Sequence, residues 1–370
     1  MLLLLAILFL CGYGLVILYS ASSYNGEVRF GDPAWYLKKQ FFAMALGLAS
    51  MAAVSSIDYH VLKKLAGPAY LLSLALSGAV LLFGDAYNGS RRWLSIGPLS
   101  FQPSEYAKPA VILLLASVAG GKTRSSGQKG RDGRIPGSYR SRGLTATVFL
   151  AILPIVALVG KNNLSTAVII LGIAMLMIFV SNPNYLPFLW MILAGVGFLA
   201  AFLSIESYRL ERLEIWRHPE LYEKGYQTMQ GLYAIGSGGL FGLGLGNGLQ
   251  KLGFVPEAQN DMIFSVICEE LGLFGAVILI LLFLLLLWRF MVIATHAPDL
   301  FGSLIAAGIM GHIAIQVILN IAVVTNTIPN TGITLPFVSY GGTSMLFLLS
   351  EMGLALSVSR GEREAHTLAL

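Results

Sequence analysis

Long apolar runs without charged residues constrain the fold of this chain more than any other feature. Runs of about 20 residues, the length that a helix needs to cross a bilayer, recur along its sequence. Hydrophobic residues make up 56% of the 370 residues and charged residues only 12%, far from the balance of a soluble globular domain. The sequence therefore predicts an all-α integral membrane protein.

The apolar runs predict about ten transmembrane helices in a single polytopic domain that covers residues 1–370. A long external loop at 205–261 is expected between spans 7 and 8. The chain opens with Met-Leu-Leu-Leu-Leu, without the charged start or cleavage signal of a signal peptide, so we expect this segment to be the first span. The expected spans are 1–22, 37–56, 65–84, 104–121, 144–160, 164–180, 186–204, 262–288, 300–325 and 340–359.

The distribution of lysine and arginine predicts the orientation of the spans. The loop at 121–143 carries many basic residues against the single acid Asp132, which makes it cytoplasmic and places both termini in the cytoplasm. Several basic residues then lie on the outer side, against the usual bias. Either an anionic substrate on that side or neutralisation by neighbouring acids explains them. They include Lys39, Arg91, Arg92 and Lys108.

Composition excludes several other classes of protein. Cys11 and Cys268 both lie in apolar segments, which supports neither a disulfide framework nor a thiolate metal site. The net charge of +5 arises in loops, where it favours contact with anionic membrane lipids. Because no basic, aromatic-rich soluble domain is present, a nucleic-acid partner is not expected.

Asp261 is the main candidate for chemistry. It ends a polar stretch and precedes the apolar run at 262–288, so its carboxylate is expected at a membrane boundary. Partial desolvation there raises proton affinity, and a substrate anchored in lipid is within reach. The alternative role is a helix N-cap for the eighth span. The glycine-rich run at 236–248 follows no predicted strand, which excludes a nucleotide-binding fingerprint and favours a tightly folded loop or re-entrant segment beside Asp261.

Two further clusters of charge flank the predicted spans. Glu105 and Lys108 are three residues apart at the start of the fourth span, so they share a helix face as an ion pair that could also meet substrate phosphates. Arg91 and Arg92 carry planar guanidinium groups that suit phosphate oxygens, although arginines beside a span are also common interface anchors.

A polar stripe runs along the ninth predicted span. His312, Gln316 and Asn320 recur at intervals of four residues and so share one face of the helix. Hydrogen bonds to neighbouring helices are one explanation, and a water-lined path or proton relay is the other.

Motifs in family order give the chain a resemblance to the SEDS family (shape, elongation, division and sporulation), the FtsW/RodA/SpoVE-like proteins. The resemblance runs from about Ala21 to Arg360, nearly the whole sequence. It rests on Asn88–Trp93, Gln102–Lys108, Gly225–Gln227, Gly244–Asn247, Pro256–Asp261, Glu269–Gly272 and Pro329–Gly342.

This resemblance implies a peptidoglycan glycosyltransferase that polymerises lipid II at the outer face of the bacterial cytoplasmic membrane. It implies that Asp261 is the essential carboxylate, that Glu105 and Lys108 shape the site, and that Lys39 faces the same cavity. Asn163 stands where relatives commonly have an acid, so no acidic role is transferred to it. The expected partners are a class B penicillin-binding protein and other elongation or division proteins. Glu257, Lys251 and Ser339 complete the substrate-binding candidates.

The expected mechanism uses Asp261 as general base in an inverting transfer that expels polyprenyl pyrophosphate. Cationic side chains stabilise the leaving group, and a divalent cation, Mg²⁺ or Mn²⁺, could do the same. The rival hypothesis is a lipid-precursor flippase or ion-coupled transporter, for which Asp261 is a coupling carboxylate. A third is a scaffold without catalytic activity. The sequence does not separate a role in elongation from one in division or sporulation.

Overall fold

The computed structural model describes residues 2–87, 90–96, 99–120, 142–181 and 207–368, and the single positions 189, 192, 193, 195 and 197. This part of the chain contains eleven α-helices. They are α1 Leu2–Phe30, α2 Trp35–Ser56, α3 Tyr59–Phe83, α4 Pro103–Gly120, α5 Arg142–Asn162, α6 Leu164–Ser181, α7 Ser207–Arg217, α8 Tyr226–Gly238, α9 Ile263–His296, α10 Leu300–Val324 and α11 Gly342–Leu368. Short 3₁₀ turns at Pro219–Leu221 and Glu223–Gly225 join α7 to α8.

Six of the described helices are long and apolar enough to cross a membrane, namely α1, α3, α6, α9, α10 and the part of α11 at Gly342–Gly361. The prediction of an all-α integral membrane protein is therefore confirmed, while the number of about ten spans stays a prediction. Helices α2, α4 and α5 coincide with three further expected spans. The expected span at 186–204 and nearly all of the basic linker at 121–143 lie outside the described residues.

A small antiparallel sheet between α3 and α4 was not expected from the sequence. Strand β1 at Asp85–Tyr87 pairs with β2 at Ser90–Ile96, which pairs with β3 at Leu99–Phe101. The sequence Asn88-Gly89 indicates a turn before Arg91 and Arg92, because this dipeptide is typical of hairpins.

The chain divides into two compact units. The first comprises Met1–Ala49, Phe198–Arg289 and Ile313–Leu349, and the second comprises Ser50–Gly197, Phe290–His312 and Ser350–Leu370. The candidates in the first unit are Lys39, Lys251, Glu257, Asp261 and Ser339. The candidates in the second unit are Arg91, Arg92, Glu105 and Lys108.

Helix α9 in the first unit is broken near its start. Gly272 has φ 65° and ψ −165°, which interrupts the helical hydrogen bonds. The carbonyl groups of Glu269 and Glu270 instead accept hydrogen bonds from the backbone N–H groups of Leu243 and Gly244, at 2.9 Å each. A break inside a membrane helix is tolerated where other groups satisfy the freed backbone. Here the glycine-rich segment supplies the donors.

The same segment also supplies acceptors beyond the break. Backbone N–H groups of Leu273 and Phe274 donate to the carbonyl groups of Gly239 and Leu240, at 2.9 and 3.0 Å. The glycine-rich run is therefore a tightly folded segment packed on α9, which agrees with the tight folding predicted for it. Its close approach to the helix explains why side chains are absent at several of its positions.

Gly242 gives a direct test of this close packing. It has φ +77°, and a Cβ atom there would lie 2.1 Å from the carbonyl oxygen of Glu270. We expect Gly242→Ala to lower the unfolding temperature of the purified protein in detergent, because positive φ alone costs about 1–2 kcal/mol and the clash adds to it. Gly246 is the matched control, since it has φ +86° but no atom within 4 Å of its built Cβ. Equal losses for Gly246→Ala and Gly242→Ala would contradict a role for the close contact.

Candidate active site

Asp261 lies two residues before α9 in the first unit. Its side chain is buried, with 8% of the residue exposed, although it follows an irregular polar segment. The backbone N–H groups of Asp261 itself and of Met262 act on the carboxylate. A capping side chain accepts from the backbone N–H two or three residues further on, which is not the pattern seen here, so the N-cap role stays a prediction.

Burial is the main influence on the proton affinity of this carboxyl group. Removal from water raises the pKa of Asp261 to about 7, and the negative charge of Glu257 acts in the same direction. Hydrogen bonds from the backbone and from the Gln227 side chain oppose the rise. A carboxyl group with a pKa near neutrality can accept a proton from a substrate and release it again, as a general base requires.

An amide chain holds one oxygen of the carboxylate. Gln227 Nε2 donates to Asp261 Oδ1 at 3.4 Å, and Asn330 Nδ2 donates to Gln227 Oε1 at 3.2 Å. On the other side lies Gly332, an exposed residue with φ +69°. A Cβ atom built at Gly332 would lie 3.8 Å from Asp261 Oδ2, so this oxygen faces an exposed residue that has no side chain.

Asn320 fixes the backbone of the site. Its Nδ2 donates both to the carbonyl oxygen of Asp261 at 2.8 Å and to that of Ile333 at 2.7 Å. One buried side chain on α10 therefore joins the start of α9 to the segment at 325–341. In the same stripe, Gln316 Nε2 donates to the Thr334 carbonyl at 3.0 Å.

His312, the remaining residue of the stripe, belongs to the second unit and contacts a buried acid there. Its Nδ1 lies 2.7 Å from Glu351 Oε2. Hydrogen bonds to neighbouring elements, the first of the two explanations, thus account for all three stripe residues.

Ser339 supports the backbone next to Asp261 by a hydrogen bond to Asn260, the residue before it. Its hydroxyl group donates to the Asn260 carbonyl at 2.6 Å and accepts from the Leu335 backbone N–H at 2.7 Å. A serine hydroxyl has one proton to donate, and Asn260 receives it. The structure therefore gives Ser339 a role in holding the loop, and substrate binding by this residue stays a prediction.

Glu257 and Lys39 are the other candidates of the first unit with distinctive settings. Glu257 has φ 54°, and its carboxylate accepts a hydrogen bond from Asn260 Nδ2. A non-glycine residue at positive φ is strained, and such strain is concentrated at functional sites. Lys39 Nζ lies 3.9 Å from the centre of the Trp35 ring, in a cation–π contact.

Lys251 has a different setting from the one predicted for it. Its ammonium group forms a buried ion pair with Glu270 Oε1 and donates to Ser20 Oγ at 2.8 Å. Ser20 also donates to Glu270. The prediction that Lys251 binds substrate has no support in this geometry, because the ammonium group is committed to an interior acid.

In the second unit, Glu105 and Lys108 form the expected ion pair. Lys108 Nζ lies 2.9 Å from Glu105 Oε2, and the two residues are 2% and 9% exposed respectively. The i,i+3 spacing on α4 produces this contact. A further role in contacting substrate phosphates stays a prediction, as does the shaping of the site that the resemblance implies.

Arg91 and Arg92 anchor the small sheet to helix ends of the second unit. Arg91 Nη1 donates to the Leu82 carbonyl at 3.2 Å, and Arg92 Nε donates to the Asn162 carbonyl at 2.9 Å. These carbonyl groups belong to the last turns of α3 and α5, where helices leave acceptors without internal partners. These contacts test neither alternative, so anchoring at the membrane interface and phosphate binding both stay predictions for these residues.

The acids of the site do not form a metal cage within the residues that the structure describes. No group of three or more His, Cys, Asp or Glu side chains in that part of the chain could hold an ion. Within the described residues, a divalent cation at Asp261 would need further ligands, such as oxygens of the substrate pyrophosphate.

The fold and the site together define a polytopic helical membrane protein with a buried carboxyl group at the start of a membrane helix. The family model described as cell cycle protein, FtsW/RodA/SpoVE, matches residues 1–364. The chain belongs to this family, which confirms the resemblance seen in the motifs. It is accordingly a multi-pass protein of the bacterial inner membrane.

Individual relatives cover nearly the whole chain. Stage V sporulation protein E of Bacillus subtilis (strain 168) is 39% identical over 368 residues, covering 98% of this chain and 97% of the relative. A probable peptidoglycan glycosyltransferase FtsW of Geobacter sp. (strain M18) is 35% identical, covering 98% and 97%. Among solved structures, a chain from a study of polymerization and crosslinking by a peptidoglycan synthase complex has a TM-score of 0.78 and 30% identity, covering 97% of both chains.

Proposed function

We propose that Asp261 is the general base with which this chain polymerises lipid II. The chain is a peptidoglycan glycosyltransferase, in line with the description of its FtsW relatives. The observation that carries the role of Asp261 is a buried carboxyl group whose pKa is raised to about 7 and whose Oδ2 faces the exposed Gly332. A pKa near neutrality suits a base that takes a proton from a substrate hydroxyl group.

The proposed reaction is a direct displacement. The 4-hydroxyl group of the acceptor sugar gives its proton to Asp261, and its oxygen forms a bond to the anomeric carbon of the lipid-linked donor. The bond from that carbon to the pyrophosphate breaks, and polyprenyl pyrophosphate leaves with the electron pair. One displacement inverts the anomeric centre. A positioned base contributes about 10²–10⁴-fold to such a reaction.

The leaving group needs cationic partners because negative charge develops on the pyrophosphate. Lys39 is the first candidate, since its ammonium group lies in the same unit as Asp261 and its aromatic contact leaves charge available to an anion. Lys108 is proposed from the family resemblance, and Arg91 and Arg92 are proposed from the fit of their guanidinium groups to phosphate oxygens. Lys251 is omitted because Glu270 neutralises it.

The proposed base predicts a dependence of rate on pH. Asp261 acts only when ionised, so kcat/KM is expected to rise with pH and to level off above about pH 7, where most of the carboxyl group has lost its proton. The measurement is the rate of lipid II consumption by wild-type protein from about pH 5 to 9. The rising part of this profile is called its limb. A limb centred near pH 4, where an exposed aspartate loses its proton, would contradict a buried base.

Purified protein in detergent or liposomes tests the function itself. With lipid II as substrate, polymerisation gives a ladder of glycan strands on a gel. Translocation of lipid II without any strand would instead support the flippase, and absence of both would support a scaffold. Each assay needs a parallel sample without protein.

The proposed partner is a class B penicillin-binding protein, which would crosslink the strands that this chain makes. The support is the similarity to a chain of a peptidoglycan synthase complex. Further proposals are that other elongation or division proteins bind the pair, that both termini are cytoplasmic, and that the segment at 205–261 lies outside. The lipid II assay with and without a candidate transpeptidase tests whether the partner controls the activity.

A further inference from the structure

We infer that Gln227 is a positioning residue for Asp261, held by Asn330 so that its amide N–H group faces the carboxylate and favours the ionised base. The inference rests on the proposed function of Asp261 and deepens it. It assigns to two neutral amides the task of keeping a buried carboxyl group usable near neutral pH.

The direction of each amide follows from a backbone group that can only donate. The N–H of Gly332 donates to Asn330 Oδ1 at 3.1 Å, which fixes the oxygen of Asn330 on that side. Asn330 must therefore turn its Nδ2 toward Gln227, whose Oε1 accepts at 3.2 Å. Gln227 is left with Nε2 toward Asp261. Amide groups have one oxygen and one nitrogen end, so the order of donors along this chain cannot be reversed.

Both amides stand on supports that limit their movement. Gln227 is the second residue of α8, and a Cβ atom at the preceding Gly225 would lie 2.0 Å from the Pro219 carbonyl oxygen, so the helix start is packed tightly on the 3₁₀ turn. The carbonyl group of Asn330 accepts a hydrogen bond from Arg212 Nη1 at 3.2 Å. Side chains held in this way lose little entropy when they orient a partner.

Gln227 is shared between two acceptors. Its Nε2 also lies 3.4 Å from the Pro256 carbonyl oxygen, the same distance as to Asp261 Oδ1. An ionised carboxylate attracts the amide hydrogen more strongly than a neutral carbonyl does. The contact with Asp261 is therefore expected to strengthen when the base is charged, which is the state that the reaction needs.

The other groups around Asp261 leave this task to Gln227. The charged neighbour within its own segment is Glu257, which disfavours ionisation. Helix α10 presents the neutral Asn320, which binds the backbone carbonyl group of Asp261 and not its carboxylate. The segment at 325–341 presents Gly332, and α8 presents Gln227. Among these contacts in the described part of the first unit, Gln227 is the side chain that donates to the carboxylate.

Two variants separate this role from simple support of the fold. Gln227→Met removes the donor at similar length. Asn330→Asp keeps an oxygen for the Gly332 N–H but removes the donor to Gln227, which must then turn its Nε2 toward the new carboxylate and its oxygen toward Asp261. We expect each variant to move the limb of the kcat/KM profile to higher pH, by about 0.5–1 unit, while activity persists on the high-pH plateau.

The double variant Gln227→Met with Asn330→Asp excludes a direct effect of the added charge. If the amide chain carries the effect, Asn330→Asp adds little shift once Gln227 is replaced, and the two changes are strongly non-additive. Full additivity would overturn the relay through Asn330. Trp216→Phe is the matched control, because it removes the 2.9 Å hydrogen bond from Trp216 Nε1 to the Asn326 carbonyl in the same loop. We expect the limb of the kcat/KM profile of Trp216→Phe at the same pH as in the wild-type protein.

Failure of this inference is distinct from failure of the proposed function. An unmoved limb in Gln227→Met, with a lower plateau, would show that Gln227 only supports the fold, and would leave Asp261 as the base. Polymerisation by a variant without Asp261 would contradict its role as the base. The pH shift expected for Gln227→Met would then have no physical reason.

Discussion

Asp261→Asn is expected to abolish glycan polymerisation while leaving the protein folded. The amide keeps the size and shape of the side chain but cannot take a proton, so the rate should fall by about 10²–10⁴-fold, below detection in a gel assay. The assay is the formation of glycan strands from lipid II at about pH 8, where the wild-type carboxylate is ionised. The amount of folded protein is followed by size-exclusion chromatography in the same detergent.

The same substitution should increase stability at high pH. Burial raises the pKa of Asp261 to about 7, above its ordinary value of 3.8, so the folded state holds this proton more tightly than the unfolded state does. Stability is then lost as pH rises from the ordinary pKa to the folded pKa, and above about 7 the buried charge is a constant cost. Asparagine removes that cost, and we expect a higher unfolding temperature than wild type at pH 8 and little difference at pH 4.

Glu257→Gln is the control for charge near the base. It removes the neighbouring negative charge that raises the pKa of Asp261, so the rate limb should move to lower pH and the plateau should survive. If Asp261→Asn still makes strands, or if it unfolds while Glu257→Gln remains active and stable, the catalytic assignment loses its basis.

The sequence is informative about those parts of the protein whose physical cause is local. Uncharged runs predict the membrane helices because a bilayer requires the same length and apolar character from each of them. The i,i+3 spacing of Glu105 and Lys108 predicts their ion pair, since it fixes which side chains share a helix face. Asp261 stands out for the same reason, because it borders an apolar run.

The sequence could not predict which residues form hydrogen bonds with one another when they lie far apart in the chain. Ser339 is a substrate-binding candidate within a family motif, but its position in the motif does not indicate that its hydroxyl group donates to the Asn260 carbonyl, 79 residues away. Gln227 and Asn320 reach Asp261 from separate helices, across 34 and 59 residues. The spacing of residues within one helix contains no information about such contacts, which depend on how segments pack.

Backbone conformation was the other unpredicted element. Glycine abundance indicates breaks and close packing in general, but it does not identify Gly272 as the point where α9 is interrupted. Glu269 and Glu270 are adjacent acids within an apolar run, and the sequence does not indicate their partners. Because the interruption frees their carbonyl groups, the glycine-rich segment pairs with them, and the side chain of Glu269 accepts from the backbone N–H groups of Leu249 and Gln250 at 2.8 and 3.0 Å.

Lys251→Met is expected to cause the largest loss of stability among substitutions outside the site. Glu270 is fully buried and depends on the ammonium group of Lys251 for charge compensation, and its other donor among the described residues is the neutral hydroxyl group of Ser20. Breaking a buried pair by removing one partner typically costs about 3–5 kcal/mol, since the remaining charge has no counterion. Thermal unfolding in detergent measures the effect as a lower unfolding temperature and a smaller yield of monodisperse protein.

The second substitution in the same pair decides why stability is lost. Lys251→Met combined with Glu270→Gln removes both charges, and it should recover most of the unfolding temperature because the amide can still accept from Ser20. If Lys251 instead bound the lipid-linked substrate, Lys251→Met would raise KM at unchanged stability, and the second change would restore nothing. Recovery of both stability and strand formation in the double variant would establish that this lysine serves the broken helix α9, since the commitment of its ammonium group to Glu270 leaves no charge to offer a pyrophosphate.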